Sequence, residues 1–164
     1  MARKTRTFPA LLLALAAALP GCEAPRAARE APRVDRGPAP DPARDPLGAR
    51  LHRAVVERAG ESEEVGTIVR GRMDVGHSAD QGVLLYGGYC YSIFVEAEPS
   101  AGELQLRLVD TNGDPIVVDR EHGASATLGL ADPLCPERPA EYHLQISSTR
   151  GGAFAMRTFR APAM

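Results

Sequence analysis

Residues 104–118 read LQLRLVDTNGDPIVV, and the element that accommodates this pattern is a β-hairpin. Leu104, Leu106 and Leu108 alternate with Gln105 and Arg107, the period of two that turns one face of a strand to a core and the other to water. Asn112–Gly113 supplies the positive-φ residues of a tight turn, and Ile116 to Val118 return along the partner strand. The alternation recurs downstream. Tyr142, Leu144 and Ile146 stand against His143, Gln145 and Ser147, and Phe154 and Met156 against Ala155 and Arg157. In GVLLYGGYCYSIFVEAE (82–98) two apolar runs flank Gly87–Gly88, a turn signal, and Tyr89, Tyr91, Ile93 and Val95 fall on one face. Roughly seven or eight short strands, with turns about every 8–12 residues, predict an all-β domain over 65–164, a small antiparallel β-sandwich.

Two different textures precede that domain. The stretch EAPRAAREAPRVDRGPAPDPARDP (23–46) holds six prolines and one strong hydrophobe, Val34. Such a segment cannot bury enough apolar surface to offset its ordering entropy, so 22–46 is expected to be a disordered tether. From 47 to 64 the pattern becomes helical. Leu47, Leu51, Ala54 and Val55 recur on one side, Arg50, Arg53, Glu57 and Arg58 lie on the other, and Gly60 offers a stop. This short amphipathic helix and its connector either pack on the following domain or lie on lipid headgroups.

The N-terminus has the three-part form of an export signal. Arg3, Lys4 and Arg6 precede an uncharged core from Leu11 to Leu19. That core is too short to cross a bilayer, which needs about 20 apolar residues, so 1–21 reads as a signal peptide. The run ends in Leu19, Pro20, Gly21 and Cys22. These four residues resemble the lipobox of a bacterial lipoprotein precursor, with Pro20 where alanine or serine is usual. The resemblance implies cleavage before Cys22, diacylation of its sulfur and acylation of its amine. Each buried CH₂ contributes about 0.8 kcal/mol to anchoring, and more than one acyl chain holds a protein stably on a membrane. Glu23 is similar to the residue that sends enteric lipoproteins to the outer membrane, so the expected location is the bacterial cell envelope, lipid-anchored at the outer membrane. With Cys22 on lipid, Cys90 and Cys135 remain in an exported domain where thiols are not kept reduced. A disulfide is their most economical fate, two separately buried thiols being the alternative.

GYCYSIFVEA (88–97), LQLRLVDTNGDPI (104–116), CPERPAEYHLQIS (135–147) and GGAFAMRTF (151–159) follow one another in an order that resembles the bacterial pre-peptidase C-terminal type of domain. The resemblance covers about 66–160 and implies a jelly-roll-like sandwich. It also implies an accessory or binding role, with no catalytic residue to carry over.

Composition narrows the partners. Loss of Arg3, Lys4 and Arg6 with the signal leaves 16 basic against 21 acidic side chains, a net of −5, and Lys4 is the only lysine. A nucleic-acid binder would show a basic face, so none is expected. Tryptophan is absent and aromatics make up 5% of the chain, which argues against stacking platforms for sugars or single strands.

Three constellations invite a chemical reading. Asp110, Asn112, Asp114 and Glu121 occupy positions 1, 3, 5 and 12 of an EF-hand calcium loop, but the glycine that the sixth position needs is replaced by Pro115. Proline fixes φ near −65°, so the residues read as a hairpin turn with solvated acids. GHSAD (76–80) sets Ser78 beside His77 and Asp80, yet lacks the glycine two places after the serine that a nucleophile elbow requires. Neighbours in sequence also rarely converge as a triad, so a polar loop is expected. The histidines, His52, His77, His122 and His143, show no metal-ligand spacing and read as surface residues, with no metal and no cofactor. The resulting expectation is a non-enzymatic envelope lipoprotein, anchored through Cys22, whose sandwich binds or scaffolds an envelope protein. The alternative is an accessory subunit or inhibitor of a secreted hydrolase.

Overall fold

The structure, a computed structural model, describes residues 38–119 and 122–164. Helix α1 (Pro46–Arg58) is followed by β1 (Glu63–Met73), β2 (Ala79–Leu85), β3 (Tyr89–Ala97), β4 (Leu104–Asp110), β5 (Pro115–Val118), β6 (Ser125–Leu128), β7 (Ala140–Ser148) and β8 (Gly152–Pro162). The strands form two four-stranded sheets, ordered β1-β8-β3-β6 and β2-β7-β4-β5, in which every pairing is antiparallel. This is an antiparallel β-sandwich preceded by one short helix.

The alternating leucines fill the space between the sheets. Leu104, Leu106 and Leu108 of β4 meet Leu144 and Ile146 of β7, and opposite them lie Tyr91, Ile93 and Val95 of β3 with Phe154 and Met156 of β8. Gly87–Gly88 marks a turn between sheets rather than a hairpin, since β2 pairs with β7 and β3 with β8 and β6. A side chain on Gly87 would run into the backbone of Glu137, with its Cβ 2.5 Å from that carbonyl oxygen.

The turn between β4 and β5 departs from the tight form that the Asn112–Gly113 pair predicts. Only Gly113 takes positive φ, at +87°, and no non-glycine residue does so among the described residues. Asp110 closes the turn instead. Its backbone amide donates to the Asp114 carbonyl, and its carbonyl accepts from the Gly113 amide. Its carboxylate accepts from the amides of Asn112 and Asp114. The side chain thus replaces the backbone geometry that a second positive-φ residue would give.

Helix α1 is built as its sequence suggests. Asp45 caps it by accepting from the Gly48 amide, Pro46 fills the first turn, where no N–H is missed, and Gly60 leaves it with φ +56°. Leu51, Val55 and Ala59 are buried against Phe94, Ala155 and Phe159 on the outer face of the β1-β8-β3-β6 sheet. Phe94 and Phe159 meet edge to face, with ring centroids 5.6 Å apart and planes at 89°. The apolar helix face therefore packs on the sandwich. Polar links fix its position: Arg50 donates to the Glu96 carboxylate at 3.0 Å and to the Ala97 carbonyl, and Arg70 of β1 reaches Asp45 at 2.5 Å. Glu96 is 6% exposed, so loss of Arg50 would strand a buried carboxylate, and the pair acts as a positional lock.

Leu51→Ala opens a cavity between α1 and the sheet and is expected to cost about 2–5 kcal/mol, read as a lower urea midpoint with unchanged slope. A midpoint equal to that of the parent protein would mean that the helix is not part of the cooperative core.

Candidate functional site

The GHSAD residues separate in space. Asp80 stands on the outer face of β2 and its carboxylate meets His143 Nδ1 of β7 at 2.8 Å. His77 and Ser78 lie in the preceding turn. With Glu103, Gln105, His122 and Ser147 they line a hollow of about 490 Å³ beside the start of β4 and the end of β7. The acid that a Ser–His pair would need is thus engaged by a different histidine, and the triad reading has no geometric basis. Of the four histidines, His143 gains a carboxylate partner, and His77 and His122 share one hollow although 45 residues separate them in the chain. Neither relation was visible from spacing, because the first depends on strand register and the second on where two loops meet. Among the described residues no cluster of three or more His, Cys, Asp or Glu is arranged to hold a metal.

The Asp80 hydrogen bond, its negative charge and that of Glu141 raise the His143 pKa above its ordinary 6.5. A raised folded value means that the pair's contribution is fully present below the unfolded pKa and is lost as pH rises through the folded one. Both side chains are well exposed, so solvent screening keeps that contribution small.

The acidic turn is a structural device. Asp110 receives amide hydrogens from Asp114 and Asn112, and these bonds hold its carboxyl below the usual range. Pro115 begins β5, and Glu121, the twelfth position of the calcium-loop pattern, lies outside the described residues.

Cys90 and Cys135 are joined by a disulfide, with Cα atoms 4.1 Å apart. It ties the start of β3 to the segment after β6. Beside it the Tyr91 amide donates to the Leu134 carbonyl at 2.9 Å, and the Tyr91 hydroxyl accepts from the Tyr86 amide at 2.8 Å. The disulfide and the Tyr91–Leu134 bond hold Leu134 and Cys135 against β3. Between that segment and β5 runs a groove made of two adjoining hollows of about 450 and 260 Å³, which share Val117, Val118 and Asp132. Ile116, Val118 and Leu130 remain exposed there. Cys22, the lipidation candidate, lies outside the described residues.

No protein-family model matches the chain, and no curated protein matches it. Among solved structures it is similar to the pre-peptidase C-terminal domain of a collagenase from Bacillus anthracis, with 14% identity and a TM-score of 0.45 over 57% of this chain and 89% of that one. It is also similar to the SPBc2 prophage-derived protein YomS, with 11% identity and a TM-score of 0.28 over 59% of this chain and 97% of that one. Likeness at this level carries nothing about activity, and the sandwich assignment rests on the strands and their pairing.

An NMR titration of the His143 ring is expected to give a midpoint above 6.5, moving down toward that value in Asp80→Asn. An unchanged midpoint in the variant would show that Asp80 does not hold the ring in solution.

Proposed function

We propose that the chain is a bacterial envelope lipoprotein, anchored by acyl chains on Cys22, whose β-sandwich binds or scaffolds another envelope protein without catalysing a reaction. The observation that carries this reading is the use of the cysteines. Two of the three are bonded to each other inside the sandwich, and the third ends the apolar run in ALPGC, the one place where an acylated cysteine is wanted. A disulfide belongs to an oxidising compartment, which agrees with export. The proline-rich segment that precedes the Asp45 cap of α1 would then act as a spacer between the membrane and the domain. The outer membrane is the proposed destination, on the strength of Glu23 behind the cysteine.

A non-catalytic role is supported by the dispersal of the one nucleophile constellation, since Asp80 pairs with His143 and not with His77. The order of strands and turns over 88–159 is the part of the chain that this reading shares with accessory domains of the pre-peptidase C-terminal type.

The test is Cys22→Ala in cells fed a labelled fatty acid. The reading predicts that label is lost and that the protein leaves the membrane fraction. Full retention of the variant in membranes after high-salt washing would contradict it.

A further inference from the structure

Among the described residues the edge strands are β1 and β6 in one sheet and β2 and β5 in the other. Three of the four are blunted in ways that keep strand edges from pairing. β1 shifts register between Val65 and Val69, where Gly66 takes φ +78°, and carries Glu63, Glu64, Arg70 and Arg72. β6 is four residues long, and β5, also four, opens with Pro115. β2 is different. Its seven residues, ADQGVLL, include no proline, lysine or arginine, and its one acid, Asp80, is engaged by His143.

The register shows which backbone groups of β2 are unused. The Thr149 amide donates to the Glu103 carbonyl and the Asp119 amide to the Leu106 carbonyl, so odd-numbered residues of β4 bond toward β7 and even-numbered ones toward β5. Gln105, Arg107 and Val109 therefore bond with Ser147, Gln145 and His143. That leaves Tyr142, Leu144 and Ile146 to bond with Val83, Gln81 and Ala79 of β2, because a strand residue turns both its groups to one side. Asp80, Gly82 and Leu84 thus turn their N–H and C=O groups to the open side, and all three are exposed. At the centre Gln81 Nε2 donates to the Gly82 carbonyl at 3.0 Å, a side chain standing in for the amide of a neighbouring strand.

We propose that β2 is the pairing edge of a homodimer, in which two copies meet antiparallel about a two-fold axis at Gly82 and their β2-β7-β4-β5 sheets run on into one. In this register Gly82 faces Gly82, and Asp80 faces Leu84 of the other copy. All three are bonded pairs, so every open group of the strand finds a main-chain partner. No acid faces an acid, whereas a register centred on Asp80 would set two carboxylates against each other, and like charges across paired strands are destabilising. Leu84, 51% exposed, stands diagonal to Gly82 of the other copy, where no side chain competes for the space. The contact uses the same patch on both copies, so it closes on itself and stops at two.

Pairing through β2 needs neither the anchor on Cys22 nor a second protein, so its failure would leave the reading proposed above where it stands. The test treats intact cells that carry the full-length Gly82→Cys chain with a short bismaleimide, which joins thiols that lie close together. A Cβ at position 82 meets only Glu141 Oε1, at 3.8 Å, an ordinary contact that leaves the fold in place. The expected result is a covalent dimer in which mass spectrometry finds position 82 linked to position 82, with no such dimer from Val118→Cys at the β5 edge. Leu84→Asp, added to Gly82→Cys, sets an acid against Asp80 of the other copy and should lower the yield at least about threefold. Asp80→Lys, added to both, should restore it. No adduct from position 82, an equal yield from position 118, or a yield indifferent to Leu84→Asp overturns the proposal. A loss in Leu84→Asp that Asp80→Lys does not repair overturns it as well.

Discussion

β3 is buried on both faces, and the arrangement of the other elements answers that demand. Its inward residues Tyr91, Ile93 and Val95 meet the second sheet, while Phe94 points the other way, joins Phe159, and needs its own cover. A sandwich of this size would ordinarily leave the outer face of each sheet to water. Here α1 supplies a third layer over β3 and β8, and the Arg50–Glu96 pair holds the helix in register with the strand beneath it. The chain entering the domain is thereby fixed to a central strand of its sheet.

The same strand also organises one side of the molecule. Cys90 and Tyr91 begin β3 and hold Cys135 and Leu134, which places residues 129–134 opposite the short strand β5. Closing a 45-residue span removes unfolded-state entropy worth about 4 kcal/mol in the chain-entropy model.

The sandwich was legible because half-buried strands advertise themselves. Leu104, Leu106, Leu108, Leu144 and Ile146 alternate with polar residues, and each stands in the core. Seven consecutive residues of β3, from Tyr91 to Ala97, are buried, and such a run shows that a strand is covered on both sides without saying by what. The helix face offered the cover, but its alternative, a lipid surface, has the same apolar signature. Sheet membership was not legible at all: Gly87–Gly88 looks the same whether it folds a hairpin or passes between sheets. Asn112 looked like a positive-φ residue because the Asn–Gly pair dominates a reading of the turn, whereas the Asp110 carboxylate two residues earlier braces it by an Asx-type bond. The Asp80–His143 pair arises from strand register and the shared hollow of His77 and His122 from the meeting of two loops, neither of which a local pattern encodes.

α1 and the sandwich form one cooperative unit, and native-state hydrogen exchange across a denaturant series is the direct test of that coupling. The account predicts that the amides of Leu51 to Arg58 and those of Ser92 to Ala97 converge on the same opening free energy, that of global unfolding. Helix amides that exchange without protection while β3 stays closed would contradict it, and would return α1 to the tether.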